Sequence, residues 1–337
     1  MKSELNKEIF CWGCESTAHT FSCSILKSDG KVLSNVKSIY NPPPGSGIHP
    51  REASRHHIEA APKVVKQSII QAGLSMNEVD IIAFSAGPGL GPCLRVGATI
   101  SRALALYYNK PLVPVNHAIG HIELAILLTG AKDPVVLLVS GGHTMITAFS
   151  LGRWRVFGET LDLTIGQLLD QFGREIGFSS PSGEKIEELA KKSSKYIPLP
   201  YTVKGNDVSF SGILTSAKKM FHEGIDLESL CFSIQEIAFA MLAEVTERAL
   251  AFTEKKEILL TGGVSANKRL QEMLIEVSKR HNANFFVIPK EYSGDCGAQI
   301  AWAGLLAYST NTSVDIEKSF VKQSWRLDKV DIRWRNR

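Results

Sequence analysis

The chain has 337 residues, with 38 Lys plus Arg against 34 Asp plus Glu and a net charge of +4. That length allows two domains or lobes with a core each, and 44% hydrophobic with 21% charged residues excludes a disordered or collagen-like chain. A surplus of four charges is too small to argue for nucleic-acid binding by itself, so partners have to be argued from local motifs.

In chain order, the opening MKSELNKEIF holds no apolar stretch of signal-peptide length, and the cysteines (Cys11, Cys14, Cys23, Cys93, Cys231, Cys296) are scattered. Both facts point to a reducing, cytoplasmic compartment. Residues 9–13 are apolar, 15–19 form a polar turn and 21–26 are apolar again, a strand, turn and strand. Cys11-Trp12-Gly13-Cys14 has redox-motif spacing but falls inside the first strand, which predicts a buried thiol pair. His49, Arg51, Arg55, His56 and His57 form a basic cluster ahead of a helix, either solvated surface or a contact for phosphate or an acidic substrate. Residues 79–84 read as a strand running into Gly87-Pro88-Gly89-Leu90-Gly91 and then a helix over 94–108. Pro92 occupies the last glycine position of the dinucleotide pattern, so these glycines read as a turn.

A strand over 111–115 leads into Asn116-His117-Ala118-Ile119-Gly120-His121. His117 and His121, four residues apart, share one face of a helical turn and can chelate one metal ion, zinc or ferrous iron by donor type. Helical zinc peptidases need Glu directly after the first His, and Ala118 stands there, so peptidase chemistry lacks its base. A second hairpin follows, 135–139 and 145–149 around Ser140-Gly141-Gly142-His143-Thr144. Helical patterns over 161–176, 186–192 and 230–252 come next, with a loop at 198–205. The stretch 230–252 is interrupted by Gln235, Glu236, Glu244 and Glu247, so no membrane span is expected. A strand over 257–260 enters Thr261-Gly262-Gly263-Val264-Ser265-Ala266-Asn267 and a helix over 267–280. A strand over 284–288 then leads to Asp295 and a helix over 298–308.

The second half thus repeats the plan of the first, which predicts two α/β lobes facing one cleft, residues 1–132 and 133–337, with a helical insertion at about 160–255. Asp295 occupies the junction matching that of His117, which makes it the candidate third ligand as well as a candidate helix cap. The two glycine turns suit a phosphate-bearing ligand, the second favoured by the helix N-terminus that follows it. Lys191-Lys192-Ser193-Ser194-Lys195 and 333–337 read as solvated basic surface.

Nearly the whole chain resembles the universal threonylcarbamoyladenosine synthesis family in its archaeal and eukaryotic branch. That branch supplies the catalytic subunit of the KEOPS complex, once called O-sialoglycoprotein endopeptidase. The matching stretches are Glu15-Ser16-Thr17-Ala18-His19-Thr20, Phe84-Ser85-Ala86-Gly87-Pro88-Gly89-Leu90-Gly91, Val115-Asn116-His117-Ala118-Ile119-Gly120-His121-Ile122-Glu123, Val139-Ser140-Gly141-Gly142, Gly158-Glu159-Thr160-Leu161-Asp162, Leu199-Pro200-Tyr201-Thr202-Val203-Lys204-Gly205, Ser209-Phe210-Ser211-Gly212 and Gly262-Gly263-Val264.

The resemblance implies the fold of actin, sugar kinases and heat-shock chaperone ATPases. It implies transfer of the threonylcarbamoyl group from threonylcarbamoyl-AMP to the adenosine after the anticodon in tRNAs reading ANN codons. His117, His121 and Asp295 stand at the family's metal-ligand positions, for one divalent Fe or Zn per subunit, and through that metal they carry catalysis; no general base is identified. Gly141, Gly142, Asp170, Gly183, Glu187 and Asn267 stand where the family binds nucleotide, with Ser140 heading the first of these loops. Implied partners are tRNA, a kinase-like ATPase, a small dimerising subunit, a tRNA-binding subunit and the synthase that makes the acyl adenylate.

Several positions depart from the pattern. Leu138 replaces a Tyr that is usually a further metal ligand, His143 and Met145 replace Asn and Gln, Gln167 replaces Asn, Ser182 and Glu184 alter a Pro-Gly-Gly-Pro, and Cys296 replaces Asn. Leu138, Gln167 and Cys296 motivate one alternative, a catalytically silent nucleotide-binding paralogue, and an ATPase of the same fold acting through protein partners is kept beside it.

Overall fold

In the computed structural model, which describes residues 8–43 and 45–335, the chain opens on an antiparallel meander of β1 (Phe10–Glu15), β2 (Thr20–Lys27) and β3 (Val32–Ile39). Helix α1 (Pro50–Ala72) leads to β4 (Ile81–Gly87), and α2 (Gly91–Tyr108) leads to β5 (Leu112–Asn116). Strand β4 pairs parallel with β1, and β5 with β4, giving the order β3-β2-β1-β4-β5. Helix α3 (His117–Thr129) follows β5 without a loop. The Asn116 side-chain oxygen accepts from the Ala118 and Ile119 amides at 3.0 and 3.2 Å, so the last strand residue caps the helix.

The plan then repeats. Strands β6 (Val135–Val139), β7 (Thr144–Ser150) and β8 (Arg153–Glu159) form a second antiparallel meander. An insertion of α4 (Ile165–Glu175), α5 (Gly183–Ala190), the short pair β9 (Val203–Lys204) and β10 (Asp207–Val208), α6 (Ser211–His222) and α7 (Leu227–Thr253) follows. Strand β11 (Glu257–Thr261), a 3₁₀ turn at Gly263–Ala266, α8 (Lys268–Arg280), β12 (Asn284–Val287) and the single turn α9 (Lys290–Ser293) complete the order β12-β11-β6-β7-β8. The last long helix is α10 (Gly297–Tyr308).

Among the described residues, one compact unit comprises the chain up to Tyr40, Ile48–Leu127 and everything from Asp295 onward; the other comprises Asn41–Gly47 and Leu128–Gly294. The split expected at 132/133 therefore holds only in part, because Asp295 and α10 fold with the first unit. The reason is steric. A Cβ on Gly13 of β1 would lie 2.3 Å from the Ala301 amide, and one on Gly297 would lie 2.6 Å from that of Ser24, so paired glycines let α10 lie directly on the first sheet.

Three other expectations are corrected. Helix α4 starts at Ile165, not 161, because Thr164 caps it and Asp162 is turned aside as an acceptor for Leu163 N, Phe210 N and the Ser209 and Ser211 hydroxyls. Those four donors hold the Asp162 carboxyl far below its usual range despite partial burial. The basic cluster at 49–57 lies largely within α1, where Arg55 pairs with Glu59 and His57 is buried against Phe21. Arg335 is not solvated: it makes a bidentate pair with buried Glu123 at 2.9 and 3.0 Å, while Asn336 and Arg337 of the same stretch lie outside the described residues. Helix α7 has the length and apolarity of a membrane span, but 78% of its apolar window is buried within the fold, which makes it a core helix. The cysteines are all free and buried, Cys11 and Cys14 within β1 included.

Candidate metal centre and nucleotide loops

In the first unit, α3 carries His117 and His121 one turn apart, and their rings stand edge to face with centroids 4.6 Å apart. Asp295, two residues before α10, reaches both: its Oδ1 lies 3.6 Å from His117 Nε2 and 3.2 Å from His121 Nε2. One donor atom from each of the three residues falls within 4.8 Å of the others. Two imidazole nitrogens and one carboxylate oxygen are the donor set of a three-ligand site with open positions, suited to zinc or ferrous iron. The residues fit a divalent ion, and the Asp295 side chain, 14% exposed beside nearly buried histidines, marks the open side.

Sequence reasoning missed the residues behind this triad. Glu15, at the end of β1 and fully buried, places Oε2 2.8 Å from His117 Nδ1. Its other oxygen accepts from the Thr17 amide at 2.6 Å. Gln299 of α10 donates to Glu15 Oε2 at 3.3 Å, and the Thr17 hydroxyl stands 3.3 Å from His117 Nδ1. The available signal was an acid closing an otherwise buried strand. Burial opposes charge on His117, but the Glu15 and Asp295 carboxylates overcome it and raise the imidazole to about 9. Burial also opposes ionisation of Asp295, yet the His117 charge and the His121 hydrogen bond hold its carboxyl far below the usual range. His121 is lowered, by burial first and then by the neighbouring His117 charge. Cys296 stays outside the triad: burial raises its thiol to about 12, and its Sγ contacts Gln299 Oε1 at 3.8 Å.

The expected nucleotide residues all belong to the second unit. Ser140 organises its own loop, its hydroxyl accepting from the Gly142 and His143 amides at 3.2 and 3.0 Å. A Cβ on Gly141 or Gly142 would meet nothing within 4 Å, so the space above this loop is open. The Thr164 hydroxyl donates to Gly141 O at 3.0 Å and ties the loop to the start of α4. Gln167, one of the departures, completes the capping box of that helix. Asp170 accepts from the Ser182 amide at 2.7 Å and thereby fixes the start of α5 at Gly183.

The N-terminus of α8 differs from expectation. Asn267 Oδ1 takes the Arg269 and Leu270 amides at 3.0 and 3.3 Å, and Glu187 takes that of Lys268 at 3.2 Å. The first-turn amides are therefore already engaged by protein oxygens rather than presented to an anion. Beside this turn lies a cleft of about 420 Å³, lined by Glu187, Lys191, Lys268, Gln271, Val287 and Pro289 among others; of the expected set only Glu187 lines it. Leu138, in place of the Tyr, is buried in β6 opposite Met145 and offers no donor atom.

The structure resembles HypF of T. kodakarensis, with a TM-score of 0.65 at 14% identity over 90% of this chain and 48% of that one. It also resembles component A of the (R)-2-hydroxyglutaryl-CoA dehydratase of Acidaminococcus fermentans, with a TM-score of 0.56 at 13% identity over 88% and 98%. These likenesses carry the fold, which is the actin, sugar-kinase and chaperone-ATPase type. In sequence, the chain is 52% identical over 322 residues to the tRNA N6-adenosine threonylcarbamoyltransferase of Caldivirga maquilingensis, covering 96% of this chain and 97% of that protein. It is 51% identical to a probable bifunctional tRNA threonylcarbamoyladenosine biosynthesis protein of Methanothermobacter thermautotrophicus, over 97% of this chain and 61% of that one. The family model described as tRNA N6-adenosine threonylcarbamoyltransferase matches residues 31–302. With that match and half-identical relatives over nearly its whole length, the chain belongs to the tRNA N6-adenosine threonylcarbamoyltransferase family.

Proposed function

We propose that this chain is the cytoplasmic, metal-dependent enzyme that transfers the threonylcarbamoyl group from threonylcarbamoyl-AMP to the adenosine following the anticodon in ANN-decoding tRNAs. It acts as the catalytic subunit of a KEOPS-type assembly, with a kinase-like ATPase, a dimerising subunit, a tRNA-binding subunit and an acyl-adenylate synthase. The observation that carries the reading is the convergence of His117, His121 and Asp295, found in a chain half-identical to named transferases along its length.

Bound there, a divalent ion would act as a Lewis acid toward a carbonyl or phosphoryl oxygen. The chain's own part is positional. Glu15 and Gln299 fix the ring of His117, and Asn116 fixes the start of the helix that presents both histidines. In the second unit the Ser140 hydroxyl shapes the Gly141-Gly142 loop by taking the Gly142 and His143 amides, and the open space beside the two glycines is where we place a phosphate-bearing donor. Glu187, which lines the cleft beside α8 and also takes the Lys268 amide, is the residue we assign to accept from sugar hydroxyls. Attack of the adenine amine on the donor carbonyl then expels AMP, whose phosphate can take the proton, so no side-chain base is assigned.

The test is transfer of labelled threonine to tRNA with bicarbonate, ATP, the synthase and the partner subunits, comparing the chain with His117→Ala. Label with the intact chain only supports the reading. No label from either, with partners shown active on another family member, would leave a silent paralogue. Steady ATP hydrolysis without tRNA would favour the ATPase.

A further inference from the structure

We infer that Glu15 is a positioning residue that selects the tautomer and orientation of His117, and so sets the metal affinity of the triad. The inference rests on the metal-centre reading above and extends it to a residue outside the ligand set.

Three groups that can act as donors surround the Glu15 carboxylate. The Thr17 amide occupies Oε1, and the Gln299 amide nitrogen occupies Oε2 at 3.3 Å. The third, His117 Nδ1, lies 2.8 Å from Oε2, and a carboxylate at that distance requires the proton on Nδ1. Gln299 Nε2 is also 3.2 Å from Nδ1, but two nitrogens that both carry protons do not bond, so the amide serves the carboxylate. With Nδ1 committed, Nε2 is left as the ligand atom, and Nε2 is the atom facing Asp295. A carboxylate behind a metal-bound imidazole also raises its basicity as a ligand. Sequence distance underlines the specificity of the arrangement, since Glu15 lies 102 residues from His117 and 284 from Gln299. Its full burial excludes a solvent-facing role.

The experiment is a Zn²⁺ titration of the full chain against a chromophoric chelator, with ¹⁵N-labelled histidine spectra of the Zn²⁺-loaded protein. Glu15→Gln keeps the shape and one acceptor oxygen, and Glu15→Leu removes both. We expect affinity to fall about 10-fold for Glu15→Gln and towards about 100-fold for Glu15→Leu. The melting temperature of metal-free Glu15→Gln should stay close to wild type, and in the wild-type spectrum the His117 proton should sit on Nδ1. Unchanged Zn²⁺ affinity in Glu15→Gln, or a wild-type His117 bound through Nδ1, overturns the inference. Should wild type bind no Zn²⁺ that is lost in His121→Ala, the metal centre itself fails and this inference falls with it.

Discussion

Neighbouring glycines in the turn after β11 should respond to the same substitution in opposite ways. Gly262 has φ 95°, a region that costs an L-residue about 1–2 kcal/mol. A Cβ there would also lie 2.2 Å from Val139 O and 2.7 Å from its carbon. That contact is with the backbone of a buried central strand, so relief requires moving the strand, at about 1–3 kcal/mol. Gly262→Ala should therefore lose about 2–5 kcal/mol in all. Gly263, next in sequence, opens a 3₁₀ turn, and a Cβ on it meets nothing within 4 Å. Gly263→Ala should stay within about 1 kcal/mol of wild type, since Ala costs less chain entropy than Gly. Urea unfolding followed by far-ultraviolet circular dichroism measures both, provided the slope m is unchanged. A loss below about 1 kcal/mol for Gly262→Ala, or an equal loss for both variants, would refute the steric argument.

Gly141→Val should leave the melting temperature nearly unchanged, because the space above that loop is open, while weakening ADP binding in calorimetry. His57 is buried and lowered to about 4, by burial first and by the His56 charge second. The unfolded chain binds that proton more readily, so stability should be full above about pH 6.5 and fall, by up to about 3 kcal/mol, as pH drops towards 4. Urea midpoints of wild type and His57→Asn across that window should converge as the pH falls. Arg335→Ala removes the bidentate partner of buried Glu123, and since Arg335 is 14% exposed we expect a loss of about 2–4 kcal/mol. The double variant Glu123→Gln with Arg335→Met should recover much of it, read from the same unfolding curves.

What the sequence disclosed about the site followed from local spacing. His117 and His121 were legible because a helix brings residues four apart onto one face. Asp295 was legible as a junction residue, but the unit it joins was not, because nothing local announces that Gly13 and Gly297 are small in order to meet each other. Glu15 and Gln299 were illegible as partners of His117 for the same reason: their roles exist only once distant segments are packed. Strand β3 lacked a contrasted pattern, since it alternates weakly and lies at a sheet edge. Helix α1 was anticipated as a helix but misplaced, because Pro50 at its first turn, a start signal, was overshadowed by the charges after it. The likenesses to family motifs marked the candidate nucleotide loops, but only the structure showed that Asn267 and Glu187 close the N-terminus of α8 themselves.

The return of Asp295 and α10 to the first unit sets an order of events during synthesis. The first sheet is complete in sequence by Asn116, yet the helix that covers β1 and the acid that completes the metal triad are made only after the whole of Leu128–Gly294. A chain emerging from its N-terminus at about 5–20 residues per second can fold the nearly contiguous second unit while the first still shows a bare sheet face and two histidines without their acid. The candidate triad can therefore be assembled only late in synthesis, and a product cut short before residue 295 would carry both histidines without Asp295.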